Sequence, residues 1–207
     1  MIEGFNFSGE AVDAVRSDIL RDGFAYVGHS IPSAILTSLR LECIQAKATA
    51  KRAEGTGELA YRSSLAPLGD IGQKILKDHA SAEVLELIFG RSFKYCEDAS
   101  CYTYYDEGDF LDPHLDGADN CEVTLLLYLD ASEPGPDPGA SGLYLTLYSS
   151  DGESETRAIE TAAEGMMIGY GSRVMHGRKR LAAGEHIWML TACFTSGGDE
   201  VELSSAD

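Results

Sequence analysis

The second half of the chain consists of short runs with β-strand character that are separated by Gly, Pro, Asp and Ser. Alternation with a period of two is typical of strands, because successive side chains point to opposite faces. Strands are predicted at 93–97, 100–106, 112–116, 122–129, 142–148, 156–160, 166–170, 173–176 and 186–194. Around eight short strands favour a jelly roll, which is a mainly β fold.

The first part of the chain differs, because its apolar residues recur at helical spacing. A first helix is predicted to end at Gly23, and a short strand at 24–27 follows it. A second helix is predicted from about Pro32 to Gly55, and a third helix ends at Gly90. The sequence therefore predicts an α+β protein in which the helices pack outside the β-rich core.

The length of 207 residues suits a single domain over 1–207, with 1–92 as helical support and 93–195 as the jelly-roll core. The Pro- and Gly-rich segment 131–141 is predicted to be a rigid loop rather than a linker, since strands continue beyond it. One domain is the expectation.

The chain is strongly acidic, with 34 acidic residues against 16 basic ones and a formal charge of −18. Such a surface repels phosphates and anionic lipids, so neither nucleic acid nor a membrane is an expected partner. The acidic field either steers a cationic small molecule toward a pocket or serves only solubility.

Five scattered cysteines form no Cys-x-x-Cys pair and are odd in number. Reduced, mostly buried thiols in a cytoplasmic protein are therefore predicted. No run approaches the roughly 18 apolar residues of a membrane span, and the first residues lack the pattern of a secretory signal.

The motif His114-Leu-Asp116 and the distant His176 form the candidate metal site. On a strand, the two side chains of a His-x-Asp motif point to one face. A second histidine brought in by the fold completes two imidazoles and one carboxylate, the set that holds non-haem Fe(II) with coordination positions left open. The alternative is a hydrogen-bonded loop histidine beside a turn aspartate.

The blocks around this site resemble the prolyl-hydroxylase-like branch of the Fe(II)/2-oxoglutarate dioxygenases, over roughly residues 93–194. The blocks are Tyr105-x-x-Gly108 through His114-x-Asp116, Thr124-Leu-Leu-Leu-Tyr128-Leu-Asp130, Ser141-Gly142-Leu-Tyr-Leu, and Gly184-Glu-His-Ile-Trp188 after His176. The resemblance implies a double-stranded β-helix that holds Fe(II) and 2-oxoglutarate. It also implies that O2 is consumed, that succinate is released and that an unactivated C–H bond is hydroxylated.

The resemblance also implies residues that hold the cosubstrate. Tyr128 matches the tyrosine that binds the far carboxylate of 2-oxoglutarate, and Tyr105 matches the tyrosine beside the cosubstrate near the metal. Thr124 lies four residues before Tyr128 and is expected to share its strand face, toward the barrel interior. For both tyrosines, packing in the core is the alternative interpretation.

One position departs from the family pattern. The arginine or lysine expected about ten residues after the second histidine, where it bonds the C5 carboxylate, falls on His186. Histidine lacks both the fixed charge and the fork of arginine. Three explanations remain open: His186 binds as imidazolium, an arginine (Arg178, Arg180 or Arg62) replaces it, or the protein does not use 2-oxoglutarate.

The sequence does not name a substrate. Trp188 shares a strand face with His186 and is expected either to line the substrate pocket or to belong to the core. Arg62 is either a surface arginine or a ligand for a carboxylate at the barrel mouth. A small molecule, such as an amino acid or a derivative and in particular a cationic one, is the predicted substrate. The rival predictions are a cupin-like oxygenase without 2-oxoglutarate and a non-catalytic, metal-sensing barrel.

Overall fold

The computed structural model describes residues 9–28, 31–133 and 141–196. Within these ranges the chain forms four helices and eleven strands. The helices are α1 Gly9–Asp22, α2 Ser33–Lys47, α3 Asp70–Lys77 and α4 His79–Phe89. The strands are β1 Phe24–Val27, β2 Lys51–Gly55, β3 Tyr61–Pro67, β4 Phe93–Tyr105, β5 Phe110–His114, β6 Val123–Ala131, β7 Tyr144–Tyr148, β8 Glu155–Glu160, β9 Met166–Gly169, β10 His176–Arg178 and β11 Ile187–Ser196.

The described strands form one antiparallel sheet in the order β1-β9-β6-β11-β4-β3-β5-β10-β7-β8, with β2 added to β3. The sheet curls into a nearly closed barrel, and the predicted jelly roll with flanking helices is confirmed. Strands β5, β10, β7 and β8 form one wall, and the longer strands β4, β6 and β11 form the wall opposite.

The two faces of the large wall bury different cores. On β6, Leu125 and Leu127 pack with the helices, whereas Leu126 and Tyr128 point into the barrel. Strand β11 alternates in the same way, with Leu190 in the outer core. The strands are apolar on both faces because each face is covered, by helices on one side and by the opposite wall on the other.

Most predicted strands of the second half are found with small shifts at their ends. Three predictions are wrong. The segments 93–97 and 100–106 form a single strand, β4, because β11 pairs along its whole length and absorbs an irregularity between Thr191 and Cys193. The strand predicted at 112–116 ends at His114, which leaves Asp116 beyond it, and the strand predicted at 173–176 is mostly turn, since β10 begins at His176. The loop predicted at 131–141 lies mostly outside the described residues.

The predicted helix ends at Gly23 and Gly90 are confirmed, and Gly90 has a left-handed φ of 73° that closes α4. The predicted second helix is too long, since α2 stops at Lys47. Residues Lys51–Gly55 instead form β2, which pairs with β3 as a hairpin. Strand β3 in turn pairs with β4, so the hairpin belongs to the large sheet. The spacing of apolar residues within 51–55 does not reveal these partners.

None of the helices in the described ranges is both long enough and apolar enough to cross a membrane.

Candidate metal centre and cavity

The three candidate metal ligands lie together where β5 ends and the antiparallel β10 begins. His114 is the last residue of β5 and His176 is the first residue of β10, and the two are direct partners in the antiparallel register. Their ring centroids lie 4.4 Å apart. Asp116 follows His114 by two residues, and its backbone N–H donates to the carbonyl of Gly171 at 2.9 Å. The fold thus brings together three residues, the outermost of which lie 62 positions apart in the chain.

The ligand atoms converge closely enough for one ion. Nε2 of His114 lies 3.2 Å from Oδ1 of Asp116, and Nε2 of His176 lies 3.8 Å from Oδ2. One ligand atom from each residue can be chosen so that all three lie within 4.8 Å of one another. Metal bonds of about 2.1 Å at right angles place neighbouring ligands roughly 3 Å apart. The spacing fits a facial set of two imidazoles and one carboxylate.

Both imidazoles are set up as ligands through Nε2. Nδ1 of His114 lies 3.1 Å from the carbonyl of Asp112, and Nδ1 of His176 lies 2.9 Å from the carbonyl of Val174. A carbonyl only accepts hydrogen bonds, so Nδ1 carries the proton and Nε2 keeps a free lone pair. Burial also lowers the pKa of His176 to about 4, and the neutral ring is the form that binds metals.

The carboxylate of Asp116 is held by its neighbours. Burial would raise the pKa of Asp116, but its neighbours His114, His176 and the hydroxyl of Thr124 together lower it. Thr124 donates a short hydrogen bond to Oδ2. Gly171 presses against both side chains, so that a Cβ on Gly171 would overlap Asp116 and Thr124. Sequence reasoning missed Gly171, although its place in Gly169-Tyr170-Gly171 is a signal of close backbone approach.

A cavity of about 430 Å³ opens beside the three metal candidates. Three further residues singled out in the sequence line it together with His114, Asp116 and His176, namely Tyr105, Thr124 and Arg178. Leu111, Leu126, Leu145 and Met189 add apolar walls. Tyr128 is fully buried directly behind this lining, next to Arg178.

Arg178 is the cation of this cavity and is only 2% exposed. Its Nη1 donates to the carbonyl of Gly142 at 2.6 Å, and its Nη2 lies 3.5 Å from the Tyr128 hydroxyl. The guanidinium also sits 5.4 Å from the ring centre of Tyr105. Among ion pairs between described residues, none involves Arg178. A buried guanidinium without a carboxylate is costly, and an anionic ligand would remove that cost.

His186 and Trp188 differ from their predicted position. They do share one side, as predicted, but it is the outer side, because Ile187 and Met189 occupy the barrel interior. His186 contacts Ser132 through Nδ1 at 3.0 Å and has Asp130 at 3.5 Å, which is an ion-pair separation and no hydrogen bond. Strand β11 alternates regularly here and pairs without interruption with β4 over Ile187–Thr191, so the inward turn of Ile187 and Met189 places His186 and Trp188 on the outer side.

Two other arginines also lie outside the cavity. Arg62 points to the opposite side of β3 from Ser63, and its Nε donates to Asp109 at 3.0 Å. Arg180 is bonded to the carbonyl of Gly108 and stacks on Phe110 at 4.2 Å. Neither is placed to meet a ligand at the metal, which leaves Arg178 as the cation found there among the described residues.

The prediction of reduced thiols is wrong for two of the five cysteines. Cys121 and Cys193 form a disulfide with their Cα atoms 4.6 Å apart, and it lines the cavity. The pairing of β11 with β6 brings the two residues together, which their separation of 72 positions conceals. The other three cysteines are free. Disulfides are rare in reducing compartments, and the cytoplasmic location stays a prediction.

No protein-family model matches the chain, and none of the curated proteins matches it in sequence. Solved structures do match its fold. A prolyl-4-hydroxylase from Pseudomonas putida aligns with a TM-score of 0.63 and 22% identity, over 90% of this chain and 100% of that chain. The non-haem α-ketoglutarate-dependent epimerase SnoN from nogalamycin biosynthesis aligns with a TM-score of 0.70 and 13% identity, over 97% of this chain and 91% of that chain.

A 2OG-Fe(II) oxygenase family protein from Burkholderia pseudomallei aligns with a TM-score of 0.67 and 12% identity, over 93% of this chain and 95% of that chain. At these identities the likeness concerns the fold. The resemblance seen in the sequence is therefore confirmed at the level of the fold, which is that of the 2-oxoglutarate oxygenase jelly rolls.

Proposed function

We propose that the protein is a non-haem Fe(II)/2-oxoglutarate-dependent oxygenase that hydroxylates an aliphatic C–H bond of a small molecule. One observation carries the proposal: the unpaired, buried guanidinium of Arg178 lines the same cavity as His114, Asp116 and His176. A metal triad alone fits many oxygenases. A triad with a buried cation beside it fits an oxygenase whose cosubstrate is a dicarboxylate.

In this proposal His114, Asp116 and His176 hold Fe(II). Hydrogen bonds from Nδ1 of the two histidines to backbone carbonyls orient both rings, and the Thr124 hydroxyl orients the carboxylate of Asp116. Thr124 was predicted to face the cosubstrate, and we assign it the positioning of Asp116 in addition. When bound, Fe(II) and 2-oxoglutarate together activate O2, with release of succinate and CO2 and oxidation of the substrate.

Arg178 is proposed to bind the C5 carboxylate of 2-oxoglutarate. Its planar fork can give a carboxylate two charge-assisted hydrogen bonds. Tyr128 presents its hydroxyl beside the guanidinium, and Tyr105 flanks it with its ring. The apolar side chains of Leu126 and Leu145 keep water away from this end of the cavity. Arg178 thus replaces the family cation that falls on His186.

The two rival functions lack a use for Arg178. A cupin-like oxygenase without 2-oxoglutarate and a metal-sensing barrel would both require the triad, and neither requires a buried cation without a carboxylate partner. The free energy cost of that cation is removed when a dianion binds. The same argument favours a protein that binds 2-oxoglutarate over one that does not use it.

The substrate is proposed to be small, because the cavity volume of about 430 Å³ is that of a small-molecule site. The neighbours in fold include a prolyl hydroxylase crystallised with a peptide fragment and an epimerase, so the fold accommodates different substrates and outcomes. An amino-acid substrate stays a prediction from the sequence. A single-domain organisation and a cytoplasmic location are likewise proposals.

The decisive experiment is an anaerobic titration of the metal-free protein with Fe(II) and then 2-oxoglutarate. The expected result is the weak visible charge-transfer band of the chelate, followed by succinate formation on adding O2. A metal-binding protein with no such band and no succinate would favour the cupin-like or sensing function. A protein that binds neither Fe(II) nor Mn(II) would contradict the metal site itself.

A further inference from the structure

Charged side chains are nearly absent from the cavity wall. Among the described residues that line it, only Asp116 and Arg178 carry a formal charge, apart from the two histidines of the metal site. The rest of the wall is neutral, although the whole chain has a formal charge of −18. The inside of the protein is thus electrostatically unlike its surface.

Both cavity charges have a use in the proposed function. Asp116 is a metal ligand, and Arg178 meets the far carboxylate of the cosubstrate. Once metal and cosubstrate are bound, the described wall offers no carboxylate to an ammonium group and no cation to a second carboxylate. A charged group that leaves water without a partner is costly to bury.

Two charged residues next to the wall, Arg62 and Glu122, are engaged elsewhere, whereas Glu58, Asp98, Asp112 and Asp119, which also adjoin wall residues in the chain, are exposed to solvent. Arg62 neighbours the wall residues Tyr61 and Ser63, but it pairs with Asp109 on the other side of β3. Glu122 neighbours Cys121, but its carboxylate pairs with Arg91 and Arg173 and accepts the N–H of Ser196 at 3.2 Å. Arg62 and Glu122 are therefore not free to turn into the cavity.

The cavity wall offers neutral hydrogen-bonding groups instead. Thr103 and Thr191 face each other across β4 and β11, with their hydroxyls 2.9 Å apart. Each hydroxyl keeps capacity for a further hydrogen bond. The disulfide of Cys121 and Cys193 lies next along β11, and because the two sulfurs are bonded to each other they present no thiolate.

We infer that the substrate is an uncharged small molecule, with an aliphatic part at the metal and a neutral polar group such as an amide, hydroxyl or ketone toward Thr103 and Thr191. The inference rests on the proposed function and narrows it. It differs from the cationic amino acid predicted from the sequence, because the acidic surface favours the approach of a cation but the described wall provides no partner for it.

The test uses a series of nearly equal size: 4-methylpentanamide as the neutral probe, 4-methylpentanoate as the anion, 4-methylpentylammonium as the cation and L-leucine as the zwitterion. Each probe is added to the full chain loaded anaerobically with Mn(II) and 2-oxoglutarate. Paramagnetic broadening of the probe methyl protons measures binding near the metal without any turnover. The amide is expected to bind at least tenfold more tightly than each charged probe.

Substitution of one wall residue makes the test sharper. Thr191→Asp supplies a carboxylate and is expected to shift the preference at least tenfold toward the ammonium probe. Thr191→Asn, whose side chain has nearly the same shape as that of aspartate but no charge, is expected to keep the preference for the amide. A charged probe or L-leucine that binds as tightly as the amide in the unaltered protein would overturn the inference. Absence of broadening for every probe would overturn it as well.

The binding of Mn(II) and 2-oxoglutarate is measured first by isothermal titration. Loss at that stage refutes the proposed function, and the substrate inference falls with it. Intact binding followed by a preference for a charged probe refutes only the substrate inference. The two failures are therefore distinguishable.

Discussion

Arg178 lies two residues beyond His176 on strand β10, and both side chains are buried against the same cavity. One short strand thus carries a proposed metal ligand and the proposed anchor of the cosubstrate. Alternation along a strand makes this arrangement natural, because residues i and i+2 share a face. The pairing of β10 with β5 and β7 on its two sides holds both residues in place.

Asp116→Ala is expected to abolish tight Mn(II) binding, because it removes the only carboxylate of the described triad. Isothermal titration with Mn(II) measures the effect, and circular dichroism checks that the fold is retained. Asp119→Ala is the matched control, since Asp119 is exposed in the turn that follows. Equal Mn(II) affinity in the two variants would sink the assignment of the metal site.

Arg178→Met is expected to weaken 2-oxoglutarate binding by a factor of about 30 or more, because removing one member of a buried charge pair costs about 2–5 kcal/mol. Mn(II) affinity should change little, which separates a role in cosubstrate binding from general damage. Arg180→Met and His186→Ala are the controls, as both residues lie outside the cavity. A larger loss of 2-oxoglutarate affinity in His186→Ala would favour the position predicted from the sequence.

Gly171→Ala is expected to weaken metal binding at least tenfold although Gly171 is no ligand. The added methyl group would overlap the carboxylate of Asp116 and the hydroxyl of Thr124, so the ligand has to move. Gly28→Ala is the matched control, because among the described residues its new Cβ meets only Tyr26, at 3.7 Å. Mn(II) titration of both variants distinguishes displacement of the ligand from a loss of stability, which thermal unfolding reports separately.

Reduction of the bond between Cys121 and Cys193, or Cys193→Ser, is expected to lower the free energy of unfolding by roughly 4 kcal/mol, since the bond closes a long loop in the unfolded chain. At about 2–4 °C per kcal/mol for a chain of this size, the melting temperature should fall by roughly 10 °C. Cys96→Ser, at a free cysteine, is the control. An unchanged melting temperature under reducing conditions would argue against the disulfide.

The ion pairs of Asp109 predict a pH dependence of stability. Burial would raise the pKa of Asp109, but hydrogen bonds from Arg52, the Asp106 N–H and Arg62 hold it below its ordinary value. A lowered pKa means that the carboxylate stabilises the fold above about pH 4 and that this contribution is lost as the pH falls through the folded-state pKa.

Asp109→Asn is therefore expected to lower the free energy of unfolding at neutral pH by about 1–3 kcal/mol. The variant should also lose less stability than the unaltered protein on acidification. Urea unfolding at a series of pH values measures both effects, with Asp119→Asn as an exposed control. Parallel pH profiles for Asp109→Asn and the unaltered protein would contradict the role of Asp109.

Much of the architecture is encoded locally. The period-two runs after Phe93 predict the strands, and the glycines at 23 and 90 predict two helix ends, because these features depend on neighbours in the chain. The hairpin of β2 and β3 escaped prediction, since Lys51–Gly55 gains its strand form from pairing with Tyr61–Pro67 and not from its own pattern.

The composition of the metal triad could likewise be predicted from the sequence. The spacing of His114 and Asp116 is local, and His176 stands out among the remaining histidines because it lies in a predicted strand of the β-rich half. The identity of the cation could not be settled in this way. His186 and Arg178 both lie near His176 along the chain, and a linear spacing cannot tell which one faces inward.

Only the tertiary structure decided the features that depend on strand register. A period of two defines two faces of β11 but does not say which one is inside, and the packing of Ile187 and Met189 into the barrel turns His186 away from the cavity. Register also places Cys121 against Cys193 and Gly171 against Asp116. These contacts join residues that are far apart in the chain, so no local pattern encodes them, whereas the alternation that makes each strand amphipathic or doubly buried is written in the sequence itself.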